Sequence, residues 1–90
     1  MMNNQKKLRI SITPGEVLLH DYLKPLNLGI SELADRLNTD HTTASALVNN
    51  KIKLTVDLAI RLANVFDTSV EFWLNLQQNA ENQEARIEYP

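Results

Sequence analysis

The chain has no cysteine, and only two of its 90 residues are glycine, Gly15 and Gly29. The first absence excludes disulfides and thiolate metal sites and suits a reducing compartment. The second leaves no glycine-rich loop that could cradle a phosphate. No apolar run approaches the roughly 20 residues needed to span a membrane, and MMNNQKKLRI at the N-terminus lacks the apolar core of a secretory signal. A cytoplasmic protein without a membrane partner is expected. Both histidines, His20 and His41, fall on different predicted helices without His/Cys/Asp ligand spacing, so no metal is expected. His20 and Asp21 are neighbours in sequence, but adjacent helical residues diverge by about 100° and do not form an acid/base pair. No catalytic residue, cofactor or small-molecule substrate is expected, and the chain does not read as an enzyme.

Charge of neither sign dominates, the formal net charge being -2. Its placement is uneven: residues 1–53 hold seven Lys/Arg against five Asp/Glu, a balance of +2, and residues 54–90 hold two against six, a balance of -4. This asymmetry keeps nucleic acid in view as a partner of the first half. Ninety residues bound the chain to one domain. A polar, basic tail is expected over residues 1–11, a helical domain over 12–78 and an extension over 79–90.

What is present is helical periodicity, concentrated in GISELADRLNTDHTTASALVNN, residues 29–50. Ile30, Leu33, Ala34 and Leu37 recur at i, i+3, i+4, i+7 and define one amphipathic helix. Asn38 suits the left-handed position after it, and Asp40 suits the N-cap of the next helix. There Ala44, Leu47 and Val48 form the apolar stripe, leaving a short, polar, almost uncharged surface. The pattern is that of a helix-turn-helix, whose second helix reads base edges in the major groove. Two amphipathic helices at a turn also belong to any small helical bundle, so the flanking sequence must decide. His41, Thr42, Ser45 and Ala46 are candidates for base contact, and Thr43, Asn49, Lys51 and Lys53 for phosphate or groove-wall contact. No acidic residue occurs from His41 to Lys53, as phosphate contact favours.

The flanks read as three more helices. Thr13-Pro14-Gly15-Glu16 is a capping-box start, after which Val17, Leu18, Tyr22 and Leu23 face a core until Pro25 stops the helix near Lys24. Thr55 caps a helix whose stripe is Leu58, Ala59, Leu62, Ala63 and Phe66, with Arg61 and Asn64 facing out. Ser69, or Thr68 with Glu71, caps the last, which frays from Gln77 to Gln83. The alternation in Arg86-Ile87-Glu88-Tyr89 reads as a short C-terminal strand. Val70, Phe72, Trp73, Leu74 and Leu76 offer more apolar surface than a terminal helix buries in a small monomer, so a homodimer seam is expected from Phe72, Trp73, Leu76, Ile87 and Tyr89, with Trp73 or Phe72 partly in the core.

The ordered set Pro14-Gly15-Glu16, Glu32-Leu33-Ala34, Leu47-Val48-Asn49-Asn50-Lys51, Thr55, Leu58-Ala59, Arg61-Leu62-Ala63 and Phe72-Trp73-Leu74-Asn75-Leu76-Gln77 closely resembles the HigA family of antitoxins, a VapI/HigA-like branch of the Xre-type helix-turn-helix proteins. The resemblance covers residues 12–78. It implies an all-α, five-helix, lambda-repressor-like domain that binds double-stranded operator DNA as a dimer. It also implies repression of its own operon and neutralisation of a HigB-like, mRNA-cleaving ribonuclease toxin. Where the family often has glycine after its helices, Asn27, Asn38, Asn50 and Asp67 stand here, each tolerant of the left-handed conformation. Where the family often has Arg or Gln near the start of the recognition helix, His41, Thr42 and Ala46 stand, and Ile30 replaces a polar residue at the phosphate-facing start of the helix before it. The operator is therefore expected to be bound weakly or to be unusual. The alternative function is a protein-interaction module that binds a toxin with little sequence-specific DNA binding. A basic toxin surface would favour the acidic segment holding Glu71, Glu81, Glu84 and Glu88, although steric clamping by the first helix is equally open.

Overall fold

A computed structural model describes the backbone of residues 13–87 and the side chains of residues 13–82. Five helices follow one another: α1 over residues 14–26, α2 Ile30–Leu37, α3 His41–Val48, α4 Val56–Phe66 and α5 Val70–Ile87. No strand occurs among the described residues. The expected all-α, five-helix helix-turn-helix architecture is therefore present.

Four of the five helices start where a short polar side chain meets the free amides of a first turn. Thr13 Oγ1 accepts from Glu16 N–H at 3.1 Å while the Glu16 carboxylate accepts from Thr13 N–H at 3.2 Å. Asp40 and Thr55 cap α3 and α4 through Thr43 N–H and Leu58 N–H. Ser69, rather than Thr68, caps α5 through Phe72 N–H. Gly29 has no side chain to offer, and instead its own N–H donates to Glu32 Oε1 at 2.7 Å.

Helix ends were equally local. The positive-φ residues among those described are Asn27, Asn38, Asn50 and Asp67, the four positions expected to take the left-handed conformation. At Asn38 the chain closes in a Schellman turn, with Thr39 N–H donating to Ala34 O at 3.0 Å and Asn38 N–H to Asp35 O at 3.2 Å.

Pro25 does not end α1 at Lys24, as expected, because the helix changes register before reaching it. Leu18–Leu23 are π-helical and Lys24 N–H donates to Leu19 O, after which an α-helical turn continues to Leu26. The wider register relieves the clash that a proline ring makes with the carbonyl four residues earlier. The C-terminal reading also differs. α5 runs unbroken through Gln77–Gln83 and on to Ile87, with Ala80 buried, so Arg86 and Ile87 end a helix instead of beginning a strand. Extending an existing helix adds one hydrogen bond per ordered residue, whereas a lone strand has no partner to bond. Glu88 and Tyr89 lie outside the described residues.

The core joins all five helices through Leu18, Leu23, Leu33, Leu37, Leu47, Leu62 and Trp73, each at most 2% exposed. Of the two aromatics expected at the seam, one of them partly in the core, Trp73 is the inner one and is wholly inside the monomer. Its indole N–H donates to Thr68 Oγ1 at 2.7 Å, and its ring lies 5.4 Å from Tyr22 and 5.0 Å, edge-on, from Phe72. No surface of Trp73 remains for a second chain. Phe72 is 38% exposed and Leu76 half-buried, so both still present apolar surface.

Candidate nucleic-acid interface

α3 has one face in this core and another in solvent. Ala44, Leu47 and Val48 anchor it inward, and His41, Thr42 and Asn49 are exposed on the other side. Hydrogen bonds from Thr43 hold the Asp40 carboxyl below its ordinary range, keeping the cap ionised and aligned with the positive helix end.

Three contacts from other elements fix how α3 is presented. Gly15 packs backbone to backbone against its C-terminal end. A methyl group at Gly15 would sit 2.5 Å from Val48 O, 2.6 Å from Leu47 O and 2.6 Å from Asn50 Oδ1. In that space Gly15 N–H donates to Asn50 Oδ1 at 3.2 Å. Arg61 was expected to face out, yet its guanidinium reaches from α4 to the turn before α3. Nη1 donates to the carbonyls of Leu37 and Asn38, both at 2.9 Å, and Nε pairs with Asp57 Oδ2 at 3.0 Å. That closes carbonyls at the C-terminal end of α2 that would otherwise lack partners. On the far side, Gln77 Oε1 of α5 accepts from Leu54 N–H at 2.9 Å, tying down the loop after α3.

Among the sequence-predicted contact residues, His41, Thr42, Asn49, Lys51 and Lys53 are exposed, while Thr43, Ser45 and Ala46 are half-buried. The structure thus gathers them on α3 and the loop that follows. Asn49 is engaged locally: its Nδ2 donates to Ser45 O at 3.0 Å and lies 3.4 Å from Ser45 Oγ. Lys53 is also engaged, with Nζ 3.4 Å from Glu81 Oε2. Neither Arg61 nor Gln77 was marked by local spacing for these roles, because the backbone groups they bond lie more than 20 residues away in sequence.

The helix-turn-helix family matches residues 19–73 of this chain. The uncharacterized HTH-type transcriptional regulator YbaQ of Escherichia coli K12 is 58% identical over 65 residues, 72% of this chain and 58% of YbaQ. The matched stretch therefore spans less than two thirds of that relative. Antitoxin HigA-1 of Vibrio cholerae is 32% identical over 85 residues, 94% of this chain and 80% of its own length. The chain belongs to the HigA family of Xre-type helix-turn-helix proteins. The Pseudomonas aeruginosa antitoxin HigA, solved with higBA promoter DNA, superposes with a TM-score of 0.79 at 33% identity, covering 87% of this chain and 91% of that one. A second P. aeruginosa structure, solved with 18 bp operator DNA, gives a TM-score of 0.84 at 32% identity, covering 89% of this chain and 86% of that one.

Within the HigA frame, the residues that carry the resemblance have identifiable work. Gly15 of the PGE segment is the only residue type that fits the gap beside Val48. Arg61 staples the helix-turn-helix. Trp73 fills the centre of the core and Gln77 anchors the loop beyond the recognition helix. Among the described residues, no helix is long and apolar enough to cross a membrane.

Proposed function

We propose that this protein is the DNA-binding antitoxin of a type II toxin-antitoxin system: a dimer that represses its own operon and neutralises a HigB-like, mRNA-cleaving toxin. One observation carries the DNA part. The exposed polar face of α3 and the exposed Lys51 and Lys53 form one acid-free segment, presented by the same fold as a HigA antitoxin solved on promoter DNA. His41, Thr42, Ser45 and Ala46 are assigned to base edges, and Thr43, Asn49, Lys51 and Lys53 to phosphates or groove walls.

The test is titration of a duplex from the protein's own promoter across a salt series. Replacing Lys51 and Lys53 by Ala should weaken binding to all sequences alike and lower the slope of log K against log salt by roughly one per lost phosphate contact. An unchanged slope removes those lysines from the interface.

A second reading is favoured by the chemistry of α3, which carries neither Arg nor Gln and has Asn49 turned back on Ser45. It is a protein-binding module with little sequence preference on DNA. Equal affinity for promoter and random duplexes would support it. In either case, capture of a small basic protein encoded beside this gene supports the antitoxin role, and Glu71, Glu81, Glu84 and Glu88 are the candidates for contact with its basic surface.

A further inference from the structure

The loop after α3 meets α5 through a chain of polar contacts that the DNA reading does not use. Gln77 Oε1 accepts from the N–H of buried Leu54 at 2.9 Å, and Gln77 Nε2 donates to Glu81 Oε2 at 3.0 Å. The same carboxylate oxygen lies 3.4 Å from Lys53 Nζ. Gln77 thereby fixes both partners of the ion pair, the loop through its backbone and Glu81 through its carboxylate. These groups line one side of a cleft of about 210 Å³ between the start of α1, the loop and α5, with Thr13, Pro14 and Lys51 on the others.

The pair itself does little for folding. The Lys53 side chain is 78% exposed and that of Glu81 44% exposed, and ion pairs so open to water are worth little. Its position is more informative than its strength. From His41 to Lys53 the sequence supplies no carboxylate, so α5 delivers an acidic group to a segment otherwise free of them. A carboxylate on that lysine occupies the ammonium that a DNA phosphate would take.

We propose that Glu81 is an intramolecular stand-in for a DNA phosphate: it holds Lys53 in the free protein, competes with the DNA backbone for it, and so lets α5 set the strength of operator binding. Gln77 is the positioning residue that keeps this competitor in place. The inference rests on the DNA-binding reading above, and it adds an acidic residue outside the helix-turn-helix as a determinant of affinity.

The experiment uses the full chain, with Glu81→Gln, Lys53→Ala and the double variant titrated against the protein's own promoter duplex and a random duplex across a salt series. Thermal melts check that each variant is folded. Glu81→Gln should bind both duplexes about two- to five-fold more tightly, the range expected for release of an exposed ion pair. Its salt slope should steepen by up to about one, because Lys53 is then free to displace a counterion. The gain should vanish when Lys53→Ala is already present. A gain that persists undiminished in the Lys53→Ala background would show bulk repulsion and overturn the competition. So would a Glu81→Gln variant with unchanged affinity and slope on a DNA that the wild-type chain binds. If the wild-type chain binds neither duplex, the DNA reading itself falls and this inference with it.

Discussion

Asn27, Asn38, Asn50 and Asp67 hold φ between 57° and 58°, where a Cβ crowds the following carbonyl at a cost of roughly 1–2 kcal/mol for most L-residues. Asn and Asp tolerate this conformation, and Gly adopts it freely. Asn38→Ala should therefore lower the unfolding free energy by about 1 kcal/mol, while Asn38→Gly should match or exceed wild type; urea denaturation of the two variants reads the difference directly. A loss of equal size in both would mean that the Asn38 side chain, and not its backbone, stabilises the turn. At this scale the sequence was largely transparent. The caps at Thr13, Asp40 and Thr55 bond amides three residues on, so spacing alone reveals them. Arg61 was opaque for the converse reason: a helical wheel places it outward, and the carbonyls it satisfies belong to another element.

Between elements, the tightest constraint is the crossing of α1 over the end of α3 at Gly15. A Cβ there meets two backbone carbonyls, which cannot rotate away as a side chain could. Gly15→Ala should destabilise the fold by about 1–3 kcal/mol, as overpacking does. It should also weaken promoter binding by more than the folded fraction accounts for, since relief of the clash tilts α3. Titrations at a temperature where the variant is fully folded separate the two effects, and unaltered affinity there would deny Gly15 any part in presenting the helix. The PGE segment was legible as a capping box, but its fit against Val48 was not, because spacing within one helix carries no information about which carbonyls another brings near. Pro25 was misread for a similar reason. Proline rules assume a continuous α register, and the π-helical stretch before it suspends that assumption.

Over the whole molecule, the proposed assembly of two chains rests on the short reach of one recognition helix, which covers only a few base pairs. Two such helices about 34 Å apart across a two-fold axis would read successive turns of DNA. The surface proposed for the seam is narrower than the sequence suggested, since Trp73 is enclosed while Phe72 and Leu76 remain accessible. Light scattering at micromolar concentration should give a dimer. Leu76→Asp should dissociate it while preserving the helical signal; a wild-type monomer would sink the proposal, and Leu76→Asp dimers would move the seam elsewhere. The turn before α3 is braced from within the chain. Because one guanidinium bridges α4 to the carbonyls of Leu37 and Asn38, the turn is rigidified as the domain folds. On the DNA reading proposed above, recognition would resemble the docking of a finished tool, with the ordering entropy of the turn spent before DNA arrives and little coupled folding left for the operator to drive.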